Sequence, residues 1–119
     1  MLLLPGAALA ADYASCRASP NLVGACFSVH GRLFVANGTP SVRILRLGTN
    51  RILGVLDRQL QAESDEVTPK AVGDLLAADP FATDVYGDYV VCPFEKDTAG
   101  AMRAVCIQEA AHLVARKRR

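Results

Sequence analysis

Three short runs of alternating apolar and polar residues, separated by strong turn signals, restrict this chain more than any other feature in it. In residues 25–35, Phe27, Val29, Leu33 and Val35 share one face with Gly31 among them, while Ser28, His30 and Arg32 share the other. Asn37-Gly38-Thr39-Pro40 is turn chemistry, residues 41–47 form the second run, Gly48-Thr49-Asn50 the next turn, and residues 51–56 the third run. β-Branched content and tight spacing predict a three-stranded meander.

The pattern then changes. Residues 57–66 are polar. Thr68-Pro69 is a helix start, since Thr can cap free N–H groups and proline at the first helical position loses no hydrogen bond. Val72, Leu75 and Leu76 lie on one helical face, and Asp79-Pro80 ends a helix of about ten residues. Residues 81–94 return to extended structure with Val85, Tyr89 and Val91 as core positions and Gly87 as a bend or bulge. Residues 95–100 turn the chain and 101–107 bring it back. From Gln108 onward the pattern allows a helical end or a bulged strand.

Three strands, a short helix and two strands is the element order of an OB-type barrel, whose long first strand bends sharply, and Gly31 stands where that bend belongs. The expectation is therefore a mainly β (α+β) fold, a small five-stranded OB-like barrel or meander with one short helix between strands 3 and 4. A small α+β sandwich is the alternative. A length of 119 residues supports one domain, placed at residues 25–115. Trp is absent and aromatics are 6% of the chain, so aliphatic side chains must dominate its core.

Residues 1–10 read as a signal peptide, with an apolar run from Leu2 and an Ala8-Leu9-Ala10 cleavage pattern, although no Lys or Arg precedes Arg17. Nine or ten apolar residues fall short of the roughly 20 needed to span a bilayer. Export gives the four cysteines, Cys16, Cys26, Cys92 and Cys106, the character of a disulfide framework. No pair has the gap of a zinc knuckle, so no metal or cofactor is implied. A hairpin centred near Ala99 sets Cys92 opposite Cys106, which favours a Cys92–Cys106 bridge and leaves Cys16–Cys26 to clip an irregular segment, 11–24, to the first strand. The rival is a bridge from Cys26 to the late strands, because first and last strands are neighbours in a closed barrel. Tyr13-Ala14-Ser15-Cys16 offers a second localisation, an outer-membrane lipoprotein anchored through Cys16.

Charge is unevenly spread. Residues 17–58 carry six Arg against Asp57, residues 59–97 carry nine acids against Lys70 and Lys96, and residues 116–119 form a basic tail. The two halves can neutralise each other, or the basic strands can face an anion. The candidate anion-binding set is His30, Arg32, Arg43, Arg46 and Arg51, because guanidinium forks suit carboxylate and phosphate. Arg43 and Arg46 fall on opposite faces of a regular strand. Phe34 is the one aromatic near these strands, which argues against single-stranded nucleic acid as a partner. Neither His30 nor His112 has a nucleophile or acid at a spacing that nominates a catalytic pair, and Asp84 and Asp88 lack the DxDxDG pattern of a calcium loop.

His30-Gly31-Arg32-Leu33, Asn37-Gly38-Thr39-Pro40-Ser41-Val42-Arg43, Gly48-Thr49-Asn50-Arg51-Ile52-Leu53-Gly54-Val55 and Gly87-Asp88-Tyr89-Val90-Val91-Cys92-Pro93 together resemble small exported proteobacterial proteins of uncharacterised activity, over about residues 24–115. The resemblance implies a compartment and a fold, and brings no catalytic residues. The functional expectation is an exported, periplasmic or secreted, non-catalytic binding or accessory module that contacts an anionic ligand or an envelope protein. A structural envelope protein without a ligand site is the alternative, and a hydrolase nucleated on His30 is third.

Overall fold

The computed structural model describes residues 16–57 and 67–118, and within them the alternating runs are strands. The order is β1 (Phe27–Val35), β2 (Val42–Arg46), β3 (Ile52–Val55), helix α1 (Lys70–Leu76), a 3-10 turn at Pro80–Ala82, β4 (Thr83–Pro93) and β5 (Arg103–Lys117). The strands close into a barrel in the order β1-β2-β3-β5-β4. All neighbours are antiparallel except β3 and β5, which run parallel with Gly54 beside Ala104. A closed ring with its helix between β3 and β4 is the expected OB-like barrel, not a sandwich.

Closure depends on β1 serving two partners at once. Gly31, Arg32 and Leu33 pair with Arg46, Leu45 and Ile44 on β2, and with Gly87, Tyr86 and Val85 on β4. A Cβ at residue 31 would lie 2.5 Å from Ile44 Cγ2 and 3.2 Å from the Leu45 carbonyl oxygen. Glycine is required there by close approach of the next strand.

The inward faces of the strands and one face of α1 supply the core. Leu33, Ile44, Val55, Val72, Val85, Tyr89, Val91 and Val105 are fully buried. As the missing Trp requires, aliphatic residues dominate. Tyr89 is the exception, and its hydroxyl donates to the Val85 carbonyl at 2.7 Å. Burial pushes the Tyr89 phenol well above its ordinary pKa.

The helix is shorter than its sequence signals suggest. It has seven residues, Pro69 rather than Thr68 is the N-cap, and no side chain caps it. Burial of Val72 and Leu76 beneath it holds it in place.

Beyond Gln108 the chain is strand, not helix. β5 continues past a register shift: Tyr86 pairs with Val114 and Asp88 with Ala111, so His112 and Leu113 together oppose Gly87. Gly87 is therefore the partner of a bulge on the facing strand. Of the residues read as a basic tail, Arg116 and Lys117 continue β5, and Arg118 donates its N–H to the Ala82 carbonyl at 2.7 Å.

The disulfides correct the expected pairing. Cys92 and Cys106 do face each other across the β4–β5 ladder, but each bonds elsewhere: Cys16 to Cys106 and Cys26 to Cys92. Cys26 immediately precedes β1, and β1 is the neighbour of β4, so barrel closure delivers it to Cys92. The sulfurs of Cys16, Cys92 and Cys106 lie within 4.8 Å of one another. With Phe94 they form a second apolar cluster at the barrel end, covered in part by Leu22 and Leu56. A sulfur bonded to Cys106 leaves none on Cys16 for a lipid thioether, which removes the lipoprotein alternative. The signal-peptide expectation, residues 1–10, lies outside the described residues.

Candidate functional site: a groove beside Arg43 and the fate of the basic residues

A groove of about 340 Å³ opens between β2, the start of β3 and the β4–β5 turn, lined by Arg43, Asn50, Arg51, Ile52, Gly100, Ala101 and Met102. Local sequence explains its shape. Gly48 and Gly100 adopt φ of 82° and 79°, tight-turn conformations that glycine accepts without strain. A Cβ on Gly54 would lie 2.6 Å from the Pro40 ring and 3.1 Å from Met102 Sδ, so glycine lets the β1–β2 turn and the β4–β5 turn pack over β3.

Two of the five expected site residues are in this groove. Arg43 Nε donates to the Pro40 carbonyl at 3.0 Å and its Nη2 to the Asn37 carbonyl at 3.2 Å. Both acceptors are neutral, so the Arg43 charge has no acidic partner among the described residues. Arg51 pairs with the carboxylate of Asp97 and also reaches the Thr98 carbonyl at 3.4 Å. Arg46 has no side-chain hydrogen bond to a described residue, and it pairs with Gly31 rather than lining the groove.

The other two are held on the β1–β4–β5 side of the barrel. Arg32 donates to Asp84 at 3.2 Å and stacks over Phe34, 4.9 Å from the ring centroid. Arg118 joins the same group, donating from Nε to Asp84 at 2.9 Å and lying 5.7 Å from the Phe34 centroid. Phe34 is thus covered by two guanidiniums and offers no free platform for a base. His30 bonds Asp88 at 2.7 Å through Nδ1, and His112 bonds the other oxygen of Asp88 at 2.8 Å through its own Nδ1. A carboxylate only accepts, so each imidazole carries its proton on Nδ1. These two hydrogen bonds hold the Asp88 carboxyl below its ordinary range. Ser28 plays no part in this arrangement.

The five residues therefore do not converge. Sequence reasoning placed them on the right strands but missed Asp84, Asp88 and Asp97 as partners, missed Arg118 and His112 as sharing the first two, and missed Asn50 and Met102 as groove walls. Opposed polar positions on β1 and β4 were visible as alternation. Which of them meet depends on a register that only the closed barrel fixes.

No family model, curated protein or solved structure matches the chain. Among the described residues, no helix is long and apolar enough to cross a membrane. Two disulfides and no free cysteine among the described residues are compatible with a secreted or extracellular protein.

Proposed function

We propose that this barrel is a non-catalytic binding module of an oxidising compartment such as the bacterial periplasm, and that its ligand is anionic and sits in the Arg43 groove. The observation that carries the reading is a guanidinium beside an open groove whose charge is met only by backbone carbonyls. Support comes from position as well: the face of the second and third strands, flanked by the first and last hairpin loops, is where OB-type barrels carry ligands.

Inorganic phosphate and a sulfated polysaccharide are suitable probes, added to isotope-labelled protein while amide shifts are followed. Shifts should concentrate at Arg43, Asn50, Ile52 and Met102, weaken with salt, and disappear in Arg43→Glu. Shifts that survive Arg43→Glu, or none at all, would sink the reading.

A second reading is favoured by a specific observation. His30, Arg32 and Arg51 are all paired with acids of the second half, Asp88, Asp84 and Asp97. On that basis the protein is a structural envelope component whose basic strands serve only its own fold. Anion titrations without effect at any groove amide would favour this alternative.

A further inference from the structure

The cluster of His30, Asp88 and His112 lies outside the groove and plays no part in the proposed anion binding. It draws one side chain from each of three adjacent strands. His30 is directly opposite Asp88 on the β1–β4 ladder, and Asp88 is opposite Ala111, next to His112, on the β4–β5 ladder. The chain has two histidines in all, and both are here.

His112 reaches this place by an unusual route. In a regular ladder the side chain following Ala111 would point to the opposite face from Asp88. At the bulge, His112 takes φ of 55°, the one positive φ at a non-glycine position among the described residues. Bulges of this kind normally place glycine at their left-handed residue, and they recur where a side chain is re-aimed for function. A histidine there carries backbone strain that a glycine would avoid. In return the imidazole stays on the Asp88 side of the sheet. An ordinary salt bridge at this site would not need it, since His30 already satisfies one oxygen of the carboxylate.

We propose that His30, Asp88 and His112 form a surface binding site for a divalent late first-row metal ion of the Zn²⁺, Cu²⁺ or Ni²⁺ type. Two imidazoles and one carboxylate match the ligand preferences of these ions, whereas Mg²⁺ and Ca²⁺ call for more oxygen donors. In the metal-free arrangement the donor atoms of the three residues do not all lie within 4.8 Å of one another, but the side chains of His30, Asp88 and His112 are 69%, 48% and 82% exposed, so no packing opposes the rotations that bring them onto a common ion. In the metal-free protein the two Nδ1 atoms sit on different carboxylate oxygens, at 2.7 and 2.8 Å. On binding, each neutral imidazole moves its proton from Nδ1 to Nε2 and offers the Nδ1 lone pair. One Asp88 oxygen supplies the third donor and water completes the shell.

The test is titration of the full, disulfide-bonded chain with Zn²⁺ by calorimetry, and with Cu²⁺ by visible absorption. The expected result is one equivalent bound per chain with no response to Mg²⁺. His30→Ala, Asp88→Asn and His112→Gly should each weaken binding by at least about 10-fold. His112→Gly is the sharpest variant, because glycine suits the left-handed backbone and the barrel should stay folded. Absence of saturable binding overturns the proposal and leaves a hydrogen-bonded clamp. So does affinity that is unchanged in His112→Gly or in Asp88→Asn.

Discussion

Gly31 stands where β1 pairs with β2 and β4 at once, opposite Arg46 on one side and Gly87 on the other. Gly31→Ala puts a methyl group 2.5 Å from Cγ2 of the fully buried Ile44 and 3.2 Å from the backbone carbonyl of Leu45, neither of them the mobile end of a flexible side chain. A loss of about 2 kcal/mol or more is expected in denaturant melts, as for overpacking of a core. Asp84 is the acid whose removal should matter most, since it is nearly buried and receives both Arg32 and Arg118. Asp84→Ala leaves two guanidiniums stacked on Phe34 without a carboxylate, at a cost of about 2 kcal/mol after allowance for their partial exposure. Asp88 predicts a pH effect of definite sign. Its folded pKa lies below the ordinary 3.8, so its contribution is complete above that pH and is lost as pH falls through the lowered value. Thermal melts of Asp88→Asn should lose less stability on acidification than the parent does. The effect will be small, because both histidines and the carboxylate are exposed.

At the scale of elements, burial outweighs local signals, and α1 shows it. Gly73 lies in its middle, no side chain caps it, and its Lys70–Asp74 ion pair at 2.8 Å is fully in solvent. Leu76→Ala should cost about 3 kcal/mol, whereas Lys70→Ala should leave the unfolding midpoint nearly unchanged, because its ion pair is exposed. The reverse order would mean that propensity, not packing, holds the helix. The same distinction explains what was legible beforehand. Strands β1 to β3 could be read from alternation and turn residues, as could the inward set Val85, Tyr89 and Val91, because period and chemistry are local. Thr68 failed as a cap because the cap depends on backbone geometry that tertiary packing imposes. The segment after Gln108 was ambiguous because its bulge at His112 breaks the period that would have marked a strand.

At the scale of the whole molecule, one non-local event organises everything else: β1, still paired with β2, also pairs with β4, and β4 pairs with β5. That event sets His30 and Asp88 side by side, sets Arg32 near Asp84, and brings the β4–β5 turn over Arg43. Hairpin arithmetic correctly placed Cys92 opposite Cys106, yet the bond between them does not form, because closure brings Cys26 to Cys92 and the N-terminal segment brings Cys16 to Cys106. Local spacing could not reveal this. The most direct test of the account is therefore non-reducing peptide mapping of the disulfides by mass spectrometry. Closure of the barrel predicts Cys16–Cys106 and Cys26–Cys92; finding Cys92–Cys106 together with Cys16–Cys26 would contradict it.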